Sequence, residues 1–440
     1  MSHSFVLEVD GYGNLLRSAS VAYGRRPSHS TLAGEDKTSQ EQTLVTYTEN
    51  DFTNAITTPQ NYHGPLPSET RVYQVTGLKH HGYTHFKPAD FDDVPALKTI
   101  PFEQHAEDHR KEKRLIGQQR VLYRSDDLTK LLAAGQIETL CLPGETYRLV
   151  FTPHLLSEVY RRQGKNGVLE TLLPVPSLVL EGKDHAGYLD LDNNGHWWVP
   201  SGRYFFHPDA DASPSVELQT AKEDFFLPQR LTDALGDTSS VVYDKHKLLL
   251  TQTIDAIGNV VTSTNDYRVL KPDLVTDANG NRISLAYDAL GVVVGTALMG
   301  KETEHIGDSL EHFQPSLHSD EVKEFFTSPT EKLAAKLLGS ATSRQIYDRD
   351  RYWRSSDWKN PLPTYLVILA RKTHASDPIP EGGLRVRITF SYSDGFRRVV
   401  QKKSQATAGP VGESTVDVKN RWLETGWTIF NNKREACTKI

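Results

Sequence analysis

Asp233-Ala-Leu-Gly236, Asp255-Ala-Ile-Gly258-Asn259 and Asp277-Ala-Asn-Gly280-Asn281 punctuate the stretch from Phe226 to Lys301, and their aspartates recur every 22 residues. Asp288-Ala-Leu-Gly291 repeats the pattern half a step later. An aspartate carboxylate bonds its own backbone two residues on, and a glycine accepts positive φ, so D-x-x-G-N ends one strand and starts the next. Between the turns lie Ser239-Ser-Val-Val-Tyr243, Lys247-Leu-Leu-Leu-Thr-Gln-Thr253, Val260-Val-Thr-Ser-Thr264 and Arg282-Ile-Ser-Leu-Ala-Tyr287. These runs are rich in β-branched and aromatic residues and read as strands. The repeating unit is a β-hairpin that cannot bury its face alone, so stacked copies must share one continuous sheet.

The same turn signature, Asp10-x-x-Gly13-Asn14, joins Phe5–Val9 to Leu15–Tyr23 and predicts a hairpin at the start of the chain. The polar stretch from Arg25 to Glu41 reads as an exposed loop. Strands are expected at Thr43–Thr48, Thr70–Thr76 and Tyr147–Thr152, with a loop at Lys87–Asp90. Helical signals are confined to a few places. Phe102 to Gly117 is almost wholly polar and reads as a surface helix. Ser125 with Asp126-Asp127 reads as an N-cap for a helix over Leu128–Ala134, ended by Gly135. Another helix is expected near Leu155 to Arg162. Ser328-Pro-Thr-Glu331 reads as a capping box leading into Leu333, Leu337 and Gly339. In the last third, Leu362–Leu369, Leu384–Tyr392 and Arg421–Phe430 read as strands. Leu384, Val386, Ile388 and Phe390 alternate with Arg385, Arg387 and Thr389, as in a sheet with one dry and one wet face.

The 440 residues, 37% hydrophobic and 24% charged, exclude a disordered chain and suit a large β-protein. A net charge of −6 gives no reason to expect nucleic acid or an anionic membrane surface as partner. Cys141 and Cys437 lie far apart, outside any C-x-x-C pair, so structural disulfides are not expected and synthesis in a reducing place is. The first ten residues lack the basic start and apolar run of a secretory signal, and no apolar run is long enough for a transmembrane helix. Export is therefore expected to use another route from the cytoplasm.

Tyr243-Asp244, Asp255–Asn259 and Tyr287–Gly291 resemble Rhs/YD repeats, in which hairpins spiral into a large hollow β-shell. Asp10–Arg26, Leu122–Leu128, Trp197–Arg203, Ser391–Phe396 and Gly426–Asn432 resemble the middle-to-C-terminal part of TcB, the B component of Tc insecticidal toxin complexes (SpvB/TcdB family). The resemblance runs from about Phe5 to Lys433. It departs from the pattern at Arg397, where a D-G-F-G motif expects glycine, and in the tail after Lys433. It implies a mainly β fold, part of a hollow shell with a few short surface helices. Residues 1–225 would be a β-rich TcB-like region, 226–301 the repeat hairpins, and 302–440 a further shell segment with a helical insert near 319–339. It further implies a non-enzymatic carrier segment of a cocoon that encloses a cytotoxic effector, secreted as part of a toxin complex. The implied partners are a TcC-like Rhs protein and, indirectly, a TcA-like translocation channel. The propeller that docks TcA in that family is absent from these residues.

No motif in the chain supports a reaction of its own: G-x-S-x-G, Walker and kinase patterns are missing, and no carboxylate pair has local support. His105 and His109 stand at i, i+4, but the zincin pattern needs Glu where Ala106 stands, so solvated histidines are expected. His80, His81 and His85 lack a further ligand at a supporting spacing. Asp190, Asp192 and Asn194 offer oxygens at positions 1, 3 and 5 of a loop with Gly195 at 6. Ser201 at position 12 excludes a full EF-hand, which leaves a calcium-stabilised hairpin loop or a plain Asx-rich turn. The competing function is a free-standing β-rich binding module, with Trp197, Trp198, Trp422 and Trp427 as a carbohydrate platform.

Overall fold

The hairpin foreseen at Asp10 pairs strand Ser2–Val9 with Leu15–Ala22 and opens an antiparallel sheet. The computed structural model describes residues 2–439 except 26–31, 80–84, 108, 183, 356–361, 380, 382–384, 397, 413–414, 419–420 and 432–435. Its contacts divide the chain into two units, Met1–Val241 and Val242–Ile440.

In the first unit the sheet continues through Leu44–Phe52, Pro67–Thr76, Glu112–Tyr123, Pro143–Phe151 and Trp197–Pro200. Thr99–Ile100 adds a short parallel strand beside Glu112–Tyr123. The register aligns Val21 with Val45 and Val45 with Val75, and two residues away Ala19 with Tyr47 and Tyr47 with Tyr73. Because side chains alternate between faces, these residues form one apolar stripe, onto which Phe86, Phe91 and Val94 pack. A second cluster joins Leu128, Leu142 and Phe206 to Ala221 of helix Pro214–Glu223. Three further strands, Arg203–Phe205, Arg230–Thr232 and Thr238–Tyr243, pair in sequence order.

The second unit is a meander. Leu250–Ile254, Val260–Asp266, Lys271–Thr276, Arg282–Tyr287, Val293–Met299, Ser343–Asp348, Thr364–Arg371, Val386–Ser393, Val399–Ala406 and Arg421–Glu424 neighbour one another in chain order. Helices Ser319–Thr327 and Glu331–Leu338 lie on its later strands, with Phe325, Leu338, Val367, Leu369 and Ile388 fully buried between them. Val386, Ile388 and Phe390 are buried while Arg387 is exposed, as the alternation requires; Leu384 lies outside the described residues. The fold class read from the sequence is thus borne out: mainly antiparallel β with few helices.

Several local expectations are corrected. Among the described residues of 102–117 no helix forms. Glu112–Tyr123 is a strand, and its polar character is accommodated because Lys113 is buried against the Pro95 carbonyl at 2.9 Å, Glu49 at 3.4 Å and the Tyr73 ring. Ser125 caps no helix over Leu128–Ala134. The Asp126 carboxylate accepts from the Thr139 and Leu140 amides across the loop, Asp127 accepts from Thr129, and Leu128 takes φ 61. The helix near Leu155 is Pro153–Glu158, and Arg161–Gln163 beyond it is a strand. Within the expected loop from Arg25, Gly34–Glu41 is an exposed helix. Thr330, rather than Ser328, caps Glu331–Leu338 by accepting from the Leu333 amide. Arg421–Phe430 breaks at Gly426, φ 76: Arg421–Glu424 pairs with Val399–Ala406, and Thr428–Phe430 with Ala436–Lys439. The strand expected from Lys247 begins at Leu250.

Candidate functional site

Each repeat turn is built by one carboxylate. At Asp255 the carbonyl accepts from the Gly258 amide at 3.1 Å, and Oδ1 accepts from the amides of Ile257 and Asn259 at 3.1 and 2.8 Å. Its Oδ2 accepts from the Asn259 side chain at 2.8 Å. Asp10 and Asp277 repeat this arrangement bond for bond with Asn14 and Asn281. Asp233 and Asp288 repeat its backbone part, as does Asp394, with Arg397 outside the described residues. The donors favour the charged form of two of these carboxylates: Asn259, first by its side chain and then by its amide, keeps the Asp255 carboxyl below its usual range, and the Asn281 side chain does the same for Asp277.

Two further turns, which lack the D-x-x-G signature, complete the series. Asp244 accepts from the Leu248 amide at 2.7 Å, with Lys247 at φ 56 where its relatives carry glycine. Asp266 accepts from the Arg268 amide at 2.8 Å, with Leu270 at φ 53. The aspartates 233, 244, 255, 266, 277 and 288 are therefore spaced by 11 residues, one strand and one turn per step. Successive turns along one rim are tied together. The Tyr267 hydroxyl donates to Asp244, whose carboxyl it pulls down to about 2, and Arg268 donates to the Asp288 carbonyl at 2.7 Å. Lys271 reaches the Gly291 carbonyl at 3.1 Å.

The strands between these turns form a wall one sheet thick. Among the described residues, none from 245 to 286 is buried, whereas the later strands of the same unit carry a packed helical layer. The turn tips present apolar side chains to solvent, Ile257 at 85% and Leu290 at 72% exposure. A sheet normally buries at least one face, whereas among the described residues from 245 to 286 these strands carry only exposed and half-buried side chains.

The turn geometry carries a direct prediction. Gly258 and Gly280 hold φ 86 and 85, and a Cβ on Gly258 would meet no atom within 4 Å. Valine at either position should therefore lower stability through backbone strain, at Gly258 through strain alone, by about 1 kcal/mol or more. Urea denaturation of both variants checks this, and unchanged midpoints would count against these turns as the anchors of the register.

The residues singled out for chemistry lie apart. Asp190 accepts from the Asn194 and Gly195 amides at 3.1 and 2.8 Å, Asn194 accepts from the His196 amide at 3.0 Å, and Asp192 binds Arg120 at 2.9 Å. Among the described residues no three His, Cys, Asp or Glu side chains cluster as metal ligands would. His105 and His109 stand on no common helix, and His109 pairs with Glu107. His85 packs edge-on against Tyr23 with ring centroids 5.1 Å apart, and His80 and His81 lie outside the described residues. Trp197 and Trp198 are buried, Trp198 under the Arg120 guanidinium at 4.7 Å, and Trp422 packs on Phe390, so these three offer no sugar-binding platform. Cys141 is a free, half-buried thiol. No helix among the described residues is long and apolar enough to cross a membrane.

Strand-and-turn units of fixed length, laid side by side into one antiparallel sheet, define a β-repeat protein. A family model for the insecticide toxin TcdB middle/C-terminal region matches residues 1–64. The chain is similar in fold to the solved TcdB2–TccC3 complex, with a TM-score of 0.61 and 21% identity over 99% of this chain and 20% of that one. It is likewise similar to TcdB2–TccC3 without its hypervariable C-terminal region, with a TM-score of 0.60 and 18% identity over 99% and 22% of the two chains. The Photorhabdus luminescens Tc holotoxin pore carrying a TccC3 mutation matches with a TM-score of 0.61 and 19% identity over 98% and 21%. No curated protein matches the sequence. The resemblance to TcB is thus borne out, in sequence over the first 64 residues and in fold along the chain, which spans about a fifth of the length of the solved chains it matches.

Proposed function

We propose that this chain is a wall segment of a Tc-type toxin shell, without a reaction of its own, which closes with a TcC-like Rhs protein around a cytotoxic effector. The observation that carries this reading is the one-layer repeat sheet, uncovered over residues 245–286 and edged by apolar turn tips. A free-standing domain would cover such strands with a second layer, whereas a hollow container leaves one face toward its lumen. The fold similarity to TcdB2–TccC3 supports the choice of partner, and the similarity to the holotoxin pore supports a TcA-like channel as the assembly's further contact. Delivery outside the producing cell follows from membership of such a complex.

Edge strands with unpaired backbone groups template pairing with another chain. Expressed alone, the protein should self-associate, and a co-expressed TcC-like chain should convert it into a defined complex. Size-exclusion chromatography with light scattering tests this. A stable monomer that ignores the TcC-like chain would sink the shell-wall reading.

A further inference from the structure

The second unit contains a cavity of about 940 Å³ lined by strand Ser343–Asp348, helix Ser319–Thr327 and the short helix Arg351–Arg354. Four arginines and one lysine line it against three aspartates. Two of the acids are committed: Arg349 lies 2.9 Å from Asp288, and Arg354 binds Asp348. Lys323 pairs with Asp320 at 3.6 Å. Among the described residues, Arg344 and Arg351 have no carboxylate within ion-pair distance.

Arg344 is only 4% exposed. Its Nη1 donates to the Gln314 carbonyl at 2.9 Å and its guanidinium stacks on Phe313 at 3.8 Å, but its buried Nε has no hydrogen-bond partner. The carboxylate whose charge reaches it, Glu321, is held by the His318 amide and by Lys336. Burial consequently pushes the Arg344 guanidinium down to about 10. A buried cation without a paired counter-ion is costly, and among the described residues no carboxylate pairs directly with Arg344. Arg351 stacks over the Tyr365 ring at 4.7 Å. A guanidinium stacked by its face keeps its in-plane donors for a planar oxyanion.

We propose that this cavity is an oxyanion site in which Arg344 and Arg351 hold a carboxylate or phosphate group. Its volume accommodates more than a bare ion, so the group arrives either as a free anion or on an acidic polypeptide segment. The site does not depend on the shell-wall reading, because every described lining residue belongs to the second unit.

Calorimetric titration of the full chain at low salt with inorganic phosphate and, separately, with a tetraglutamate peptide tests the proposal. Saturable binding of at least one is expected, and the tighter of the two identifies the source. Arg351→Gln should weaken that binding about tenfold or more, the loss expected for one charge-assisted hydrogen bond. Arg344→Gln should do the same where it folds. Arg162→Gln, an exposed pair partner in the first unit, should leave it unchanged. Absence of saturable binding to either probe, or equal affinity of the wild type and Arg351→Gln, would overturn the proposal.

Discussion

Replacing Glu217 by alanine should lower the unfolding free energy of the first unit by about 3–5 kcal/mol, the cost of stripping one partner from a buried ion pair. Glu217 is 5% and Arg124 3% exposed. The two meet through parallel bonds of 2.9 and 2.8 Å, Glu217 also accepts from the Phe206 amide at 3.0 Å, and Arg124 also donates to the Leu128 carbonyl at 2.9 Å. The pair fastens helix Pro214–Glu223 to the loop after strand Glu112–Tyr123, so alanine strands a guanidinium inside that junction. Urea denaturation followed by tryptophan fluorescence measures the loss. Glu217→Leu combined with Arg124→Leu should recover part of it, since removing both charges removes the desolvation burden.

The same pair sets a pH dependence. Burial pushes the Glu217 carboxyl up, but the Arg124 bonds, the Phe206 amide and the charges of Arg124 and Arg230 outweigh it and leave the group below its ordinary value. A depressed folded-state pKa contributes stability above the unfolded value, about 4.3, and that contribution is lost as pH falls through the folded value. Wild type should therefore lose stability more steeply than Glu217→Ala below about pH 4.5. Parallel slopes in that window would remove Glu217 as the titrating group.

Legibility in the sequence followed the range of the interactions. The turns at Asp233, Asp255, Asp277 and Asp288 could be read because each carboxylate finds its donors within four residues and a glycine marks the positive φ. Asp244 and Asp266 also make carboxylate-held turns, yet Lys247 and Leu270 take the positive φ, Leu270 one residue later than the glycines do, so beyond the Tyr243-Asp244 pair only the 11-residue spacing of the aspartates marks them. Lys113 was misleading because its partners, Glu49 and the Pro95 carbonyl, come from distant parts of the chain. Asp126 misled in the same way: beside Ser125 it resembles the first turn of a helix, but its donors are Thr139 and Leu140. The cation-lined cavity had no sequence signal at all, since Arg344 and Arg351 are set apart from ordinary surface arginines only by Phe313 and Tyr365.

Asp308→Ala should cost the second unit about 3–5 kcal/mol, because it removes the counter-charge of a buried guanidinium and the acceptor of several further donors at once. The Asp308 side chain is wholly buried and that of Arg371 is 6% exposed, with Arg371 Nε 3.6 Å from Oδ1. Oδ1 also accepts from the Ala375 amide at 2.7 Å, while Oδ2 faces His374 Nδ1 at 3.1 Å and the Thr342 hydroxyl. The backbone of Asp308 is pinned in turn, its amide donating to the Leu298 carbonyl at 2.7 Å. One carboxylate therefore gathers the end of strand Val293–Met299, the start of Ser343–Asp348 and the loop beyond Thr364–Arg371, where the bare repeat sheet passes into the helix-covered part of the unit. Asp308→Asn keeps an acceptor for the Ala375 amide but removes the charge facing Arg371, so its cost should fall between wild type and alanine. Amide hydrogen exchange separates a local from a global effect. In Asp308→Ala the Ala375 amide should exchange faster than in wild type under native conditions, with Leu369 and Ile388 still protected. Unchanged Ala375 protection together with an unchanged denaturation midpoint would show that the strands hold this junction without the carboxylate.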